Sequence, residues 1–166
     1  MADWFLKVKK DFITCFLEKD RWHYILQGLG NTLKIALVAV LLGVVIGTVV
    51  AIIRSTYDKN AATMRPGIVR FLLGLGNAVC RIYLTVIRGT PVMIQILIMF
   101  FVIFSNARDG VPVAMLTFGI NSGAYVAEII RGGIMAVDAG QMEAGRSLGF
   151  NFVQTMWYIV IPQALK

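Results

Sequence analysis

Charge is what this sequence has least of. Asp, Glu, Lys and Arg make up 15% of its 166 residues, where soluble domains carry about 25%. Cysteine is almost absent too. Cys15 and Cys80 lie far apart with no CxxC spacing, so they mark neither a disulfide framework nor a zinc site. The single histidine, His23, cannot build a metal centre alone; beside Trp22 and Tyr24 it reads as an interfacial side chain. No pairing of His, Cys or carboxylate side chains offers a catalytic set. The G-x-x-x-x-G-K-[ST] phosphate loop is missing as well. The reading is therefore of a non-enzyme, with no cofactor and no metal.

What replaces the missing charge is apolar sequence. Hydrophobic residues make up 58% of the chain, against about 45–50% in an average soluble domain. They are gathered in long uncharged runs, which points to lipid as the solvent. The formal net charge is +7. Because the basic residues flank apolar runs, anionic lipid headgroups are the partner they suit, and no nucleic acid is expected.

Residues 1–24 mix Lys7, Lys9, Lys10, Lys19 and Arg21 with Asp3, Asp11, Glu18 and Asp20. Trp4, Phe5, Val8, Phe12, Cys15 and Phe16 recur at helical spacing, which predicts an amphipathic helix lying on a membrane. No apolar core with a small-residue cleavage site follows, so it does not read as a signal peptide. Ile35 to Ile53 is a 19-residue run with Thr48 as its one polar member. As a helix it covers about 28 Å, close to a bilayer core of about 30 Å. Gly43 and Gly47 share a face in a GxxxG spacing that suits either ordinary packing or a specific helix contact.

Residues 54–67 read as a polar loop closed by Pro66-Gly67. In the apolar stretch 68–88, Arg70, Asn77, Arg81 and Arg88 are spaced 7, 4 and 7. They fall within about 40° of each other on a helix. That stripe predicts an interfacial helix turned to headgroups or to a partner. Pro91 opens a short second span, Val92 to Phe104, in which Gln95 is the polar residue. A third span runs Val111 to Ile130 and contains Asn121, Ser122 and Glu128. Polar groups at membrane depth face the protein interior or a water path, so these four residues are pathway candidates, or helix-to-helix glue.

Residues 135–151 are too polar to span. Asp138 suits an N-cap, and Gly140, Ala144 and Leu148, spaced by four, give the following helix a smooth face fit for a partner's groove. Here a specific resemblance enters. EAGRSLGFNFVQTMWYIVIP resembles the signature of ABC-importer permeases: EAA, three residues, Gly, nine residues, then I-x-L-P. It falls on Glu143, Ala144, Gly145, Gly149, Ile159, Ile161 and Pro162, with Gly145 in place of the second Ala and Ile161 in place of Leu. LQGLGNTLKIAL at 26–37, IRGTPVMIQ at 87–95, NSGAYVAEIIRGGI at 121–134 and GQMEAGRSLG at 140–149 resemble the branch that imports polar and basic amino acids.

The resemblance implies an all-α integral membrane protein with a type I importer-permease fold occupying 25–166, behind the amphipathic segment 1–24. It implies residence in the bacterial cytoplasmic membrane. Its partners would be a cytosolic ATPase gripping the signature helix, a second permease copy or paralogue, and an extracytoplasmic amino-acid-binding protein. The coupling residues would be Asp138, Gly140, Glu143, Ala144, Gly145, Leu148, Gly149, Ile159, Ile161 and Pro162. Such permeases have two more membrane helices after the signature, so three of an expected five are read here and the domain reads as incomplete at its C-terminus. With the signature cytosolic, the basic stretch from Arg54 to Arg88 falls on the same side, as the positive-inside rule asks. The alternative is a small structural or regulatory membrane protein that transports nothing.

Overall fold

The computed structural model describes residues 2–14, 21–60, 64 and 66–164, and all regular structure among them is helical. The elements are α1 (Ala2–Phe12), α2 (Trp22–Asn60), α3 (Ile68–Gly89), α4 (Val92–Ile103, wound as a π-helix over its last turn), α5 (Gly110–Ala136), α6 (Ala139–Ser147) and α7 (152–164, with a π turn at Met156–Val160). In α1, Trp4, Phe5, Leu6 and Val8 are all exposed, which leaves its apolar side free for a lipid surface. Cys15, Phe16 and the charges from Glu18 to Asp20 lie outside the described residues.

The core is the seam between α2 and α5. Leu42 meets Gly119, Gly43 meets Ser122, Ile46 meets Gly123 and Gly47 meets Val126, so the two helices run parallel. A Cβ on Gly43 would lie 2.6 Å from Ser122 Oγ, one on Gly47 2.6 Å from Val126 Cγ1, and one on Gly119 2.8 Å from Leu42 Cβ. The GxxxG pair is therefore a specific contact, answered on α5 by Gly119 and Gly123. On the far side of α2, Leu33, Leu37, Leu41 and Val45 stand exposed at four-residue intervals. An apolar stripe of that length suits hydrocarbon and not water.

Two parallel helices require the chain to return between them. Gly74 lies by Tyr57 and Gly76 by Ile53, so α3 runs antiparallel to α2. Gln95 meets Asn121 and Phe100 meets Gly110, so α4 runs antiparallel to α5. Hence α3 and α4 travel in the same sense. They form one return path, broken where Thr90 and Pro91 are extended (ψ 138° and 135°). The residue before a proline avoids the helical region, which fixes the break there.

Three sequence expectations change. The helix long and apolar enough to cross between α2 and α5 is α3, with Val92–Ile103 shorter. The stripe on α3 is no lipid anchor throughout, because Asn77 is buried. Residues 54–60 are the last turns of α2 and not loop. Their polarity misleads because it is used inside: Arg54 and Asp58 pair with α5, and Tyr57 packs on α3.

The seam makes a direct prediction. Gly47→Leu drives a side chain into Val126 and the backbone nitrogen of Ala127. It should lower stability in detergent by at least about 1–3 kcal/mol. Gly28→Leu, with open space around it, should leave the unfolding curve unchanged.

Candidate functional site

The break in the return path collects the polar groups. Gln95 is buried on the first turn of α4. Its Nε2 donates to the Ile87 carbonyl (2.7 Å), the Thr90 carbonyl (3.0 Å) and Thr90 Oγ1 (2.8 Å), while its Oε1 accepts from Asn121 Nδ2 (3.1 Å). One side chain thereby satisfies the frayed end of α3 and ties the break to the middle of α5. Carbonyls released by a broken membrane helix need such partners. Tyr83 adds a second tie, donating to the Ile120 carbonyl at 2.6 Å. Ser122 stands at the α2 seam beside Gly43, and with Asn121, Phe118 and Tyr125 it lines a mostly apolar groove of about 620 Å³.

Glu128 belongs to a different cluster, two turns further along α5. Its carboxylate faces Arg54 (3.5 Å), Arg88 (3.5 Å) and Arg131 (3.6 Å), and Arg131 also bonds Asp58 at 3.0 Å. These charges join α2, α3 and α5 around a cleft of about 550 Å³ that Arg81 and Tyr125 also line. Arg88 lies over the Tyr125 ring, 5.7 Å from its centre. Of the pathway candidates, then, Gln95 and Asn121 meet, Ser122 adjoins them, and Glu128 does not. Arg54, Arg88, Arg131 and Tyr125 were missed as site residues. The seven-residue spacing of Arg81 and Arg88, which suits headgroups or a partner, is a signal for Arg88 alone.

Beyond α5, Asp138 caps α6 by accepting from the Gly140 amide (2.7 Å). Gly145 is buried: a Cβ there would lie 2.6 Å from Thr155 Cγ2 and 3.2 Å from Ile159 Cδ1. Glycine at this position locks α6 onto α7, and Gln163 bonds Gln141 across the same pair. Glu143, Ala144, Leu148 and Gly149 are exposed, Leu148 at 72%. Ile161 is half-buried and Pro162 exposed at the last turns of α7. The helix ends with Gly149 at φ +82°, its amide on the Arg146 carbonyl and that of Phe150 on the Gly145 carbonyl. That is a Schellman closure, which wants glycine for its backbone conformation. Lys59, at the end of α2, shares a cleft of about 430 Å³ with Asp138, Glu143 and Arg146. The basic end of α2 and the signature helix therefore lie at one end of the bundle.

The family described as binding-protein-dependent transport system inner membrane component matches residues 67–166. The chain belongs to that family. It is 35% identical over 146 residues to the arginine transport system permease protein ArtQ of Bacillus subtilis, covering 86% of this chain and 60% of that protein. It is 37% identical over 146 residues to a putative glutamine transport system permease protein of Rickettsia prowazekii, again covering 86% and 60%. A solved structure described as an amino acid ABC transporter with histidines superposes with a TM-score of 0.64 at 38% identity, over 81% of this chain and 56% of that one. The chain thus spans about 60% of the length of the curated relatives it matches. It is all-α among the described residues, and it resembles permease proteins of amino-acid ABC transporters.

Two substitutions test this permease's geometry. Gln95→Leu removes the partner of Asn121 and of two helix-end carbonyls. It should cost about 2–3 kcal/mol in detergent unfolding, because buried polar groups are left unpaired. Gly149→Ala should cost about 1–2 kcal/mol, with hydrogen exchange in α6 rising first; Gly149→Asn, which tolerates positive φ, should cost less.

Proposed function

We propose that this chain is the membrane-spanning subunit of an importer that carries a polar or basic amino acid across the bacterial cytoplasmic membrane, driven by a separate ATPase docked on α6. The observation that carries the reading is the two-sidedness of α6. Gly145 fastens one face to α7, while Gly140, Ala144 and Leu148 leave the other face smooth and unpartnered among the described residues. A nine-residue helix with glycine and alanine on one face and an exposed leucine as its C-cap suits a partner's groove. Asp138, Glu143, Gly149, Ile159, Ile161 and Pro162 complete the proposed coupling set, Ile159 and Ile161 from inside α7. Relatives described as arginine and glutamine transport system permeases support a polar or basic cargo.

The geometry supplies a transmission path. Motion of α6 moves α7 through the Gly145 contact with Thr155 and Ile159. In turn α7 moves the inner end of α5, because Gly133 abuts the Ala164 carbonyl, 2.9 Å from where a Cβ would stand. That end of α5 carries Glu128 and Arg131, so ATPase motion would reach the arginine cluster by rigid contacts. Gln95, Asn121, Ser122 and Glu128 are the proposed pathway lining. A second permease copy or paralogue would complete the path, and an extracytoplasmic binding protein would deliver the cargo.

The test is reconstitution with the ATPase and the binding protein in proteoliposomes. Leu148→Asp should insert normally and lower ATP-driven uptake at least about tenfold, the equivalent of ~1.4 kcal/mol at one docking contact. Uptake at the unsubstituted rate would remove α6 as the coupling element.

A further inference from the structure

The cleft between α2, α3 and α5 is out of charge balance. Arg54, Arg81, Arg88 and Arg131 line it, and Glu128 is the one carboxylate among its lining residues. Arg131 holds Asp58 at 3.0 Å and also reaches Glu128 at 3.6 Å, a carboxylate that Arg54 and Arg88 share. None of the contacts to Glu128 is shorter than 3.5 Å, whereas a charge-assisted bond closes to about 2.7–2.9 Å. The Nε–H groups of Arg54 and Arg131 are buried and donate to nothing among the described residues. Arg81 makes no ion pair among them. Buried, forked donors that are only loosely paired, as on Arg54 and Arg131, are costly to leave so, while Arg81 is exposed. A further oxyanion would repair this, and the cleft, at about 550 Å³, has room for a small ligand.

Position narrows the ligand. Tyr125 lines both this cleft and the groove that contains Asn121 and Ser122. Tyr125 thus borders both spaces, and Arg88 lies over its ring. We propose that the cleft is an oxyanion site for the α-carboxylate of an amino acid in transit, held by Arg54, Arg81 and Arg88, with Tyr125 bordering both it and the Asn121 groove. The proposal rests on the transport reading above. When the carboxylate takes up Arg54 and Arg88, Glu128 is released from them and becomes the partner of the α-ammonium. The site thus reads the zwitterion common to amino acids and not the side chain. A lipid phosphate shares the oxyanion chemistry, and the experiment must separate the two.

The full permease is purified into phosphatidylcholine nanodiscs. L-arginine, L-glutamine and L-histidine are titrated, each against the amine that lacks its carboxylate: agmatine, 4-aminobutanamide and histamine. At least one amino acid should bind about tenfold or more tighter than its amine. Arg81→Gln, which breaks no ion pair, and Arg88→Gln should each reduce that preference to less than about threefold while the unsubstituted lipid-embedded fold is retained by circular dichroism. Absence of a carboxylate preference, whether the pairs bind equally or neither binds, overturns the proposal. So does a preference unchanged in both variants. If occupancy appears only when phosphatidylglycerol is present and is indifferent to the amino acid, the cleft belongs to lipid and the proposal falls. Uptake is read separately in proteoliposomes with the ATPase. Carboxylate preference without uptake sinks the transport reading and leaves the site, and uptake without preference does the reverse.

Discussion

At the seam of α2 and α5 there is no space for a side chain on Gly43, Gly47 or Gly119, and this close approach governs the remaining architecture. Lipid offers apolar helices no hydrophobic reason to associate, so van der Waals contact between bare backbones has to supply it. The contact also fixes direction. With α2 and α5 parallel, the chain between them must come back, and α3 with α4 are that return. The seam thus determines that a broken segment lies against the middle of α5, facing Asn121.

A broken helix at that depth has carbonyls that would be orphaned in hydrocarbon. Gln95 meets the need with one amide, at the junction of α3, α4 and α5. Further along, the arginines that would be expensive against lipid are gathered on Glu128 and Asp58 instead. The apolar exterior and the polar interior are therefore one design. The helices expose leucines and valines, and Ser55, Asn77, Gln95 and Thr117 are buried among them.

The signature helix is joined to this interior mechanically. Gly145 is small so that Thr155 and Ile159 can press on α6, and Gly133 is small so that α7 can press on α5. Departure of the signature from its usual second alanine to glycine falls on the buried face, where less bulk tightens the joint and leaves the exposed face as the motif has it.

How far the sequence reaches can be seen residue by residue. Membrane residence, α2 and α5 as long apolar helices in outline, the N-cap at Asp138 and the family all follow from composition, periodicity and one 20-residue motif. Each of these depends on neighbours in sequence, which is what periodicity and capping record. The return path could not be read, because its break and its direction depend on which helices pair. Arg54, Ser55 and Asp58 looked like loop, since a polar run with no view of its partners resembles solvent-facing chain. Arg88 looked like a lipid anchor for the same reason. Only the tertiary structure sets Arg54, Arg88 and Glu128 in one cleft, drawing on positions 74 residues apart at the extremes. A charge's partner across the bundle is a fact of packing, and the spacing of residues along the chain does not contain it.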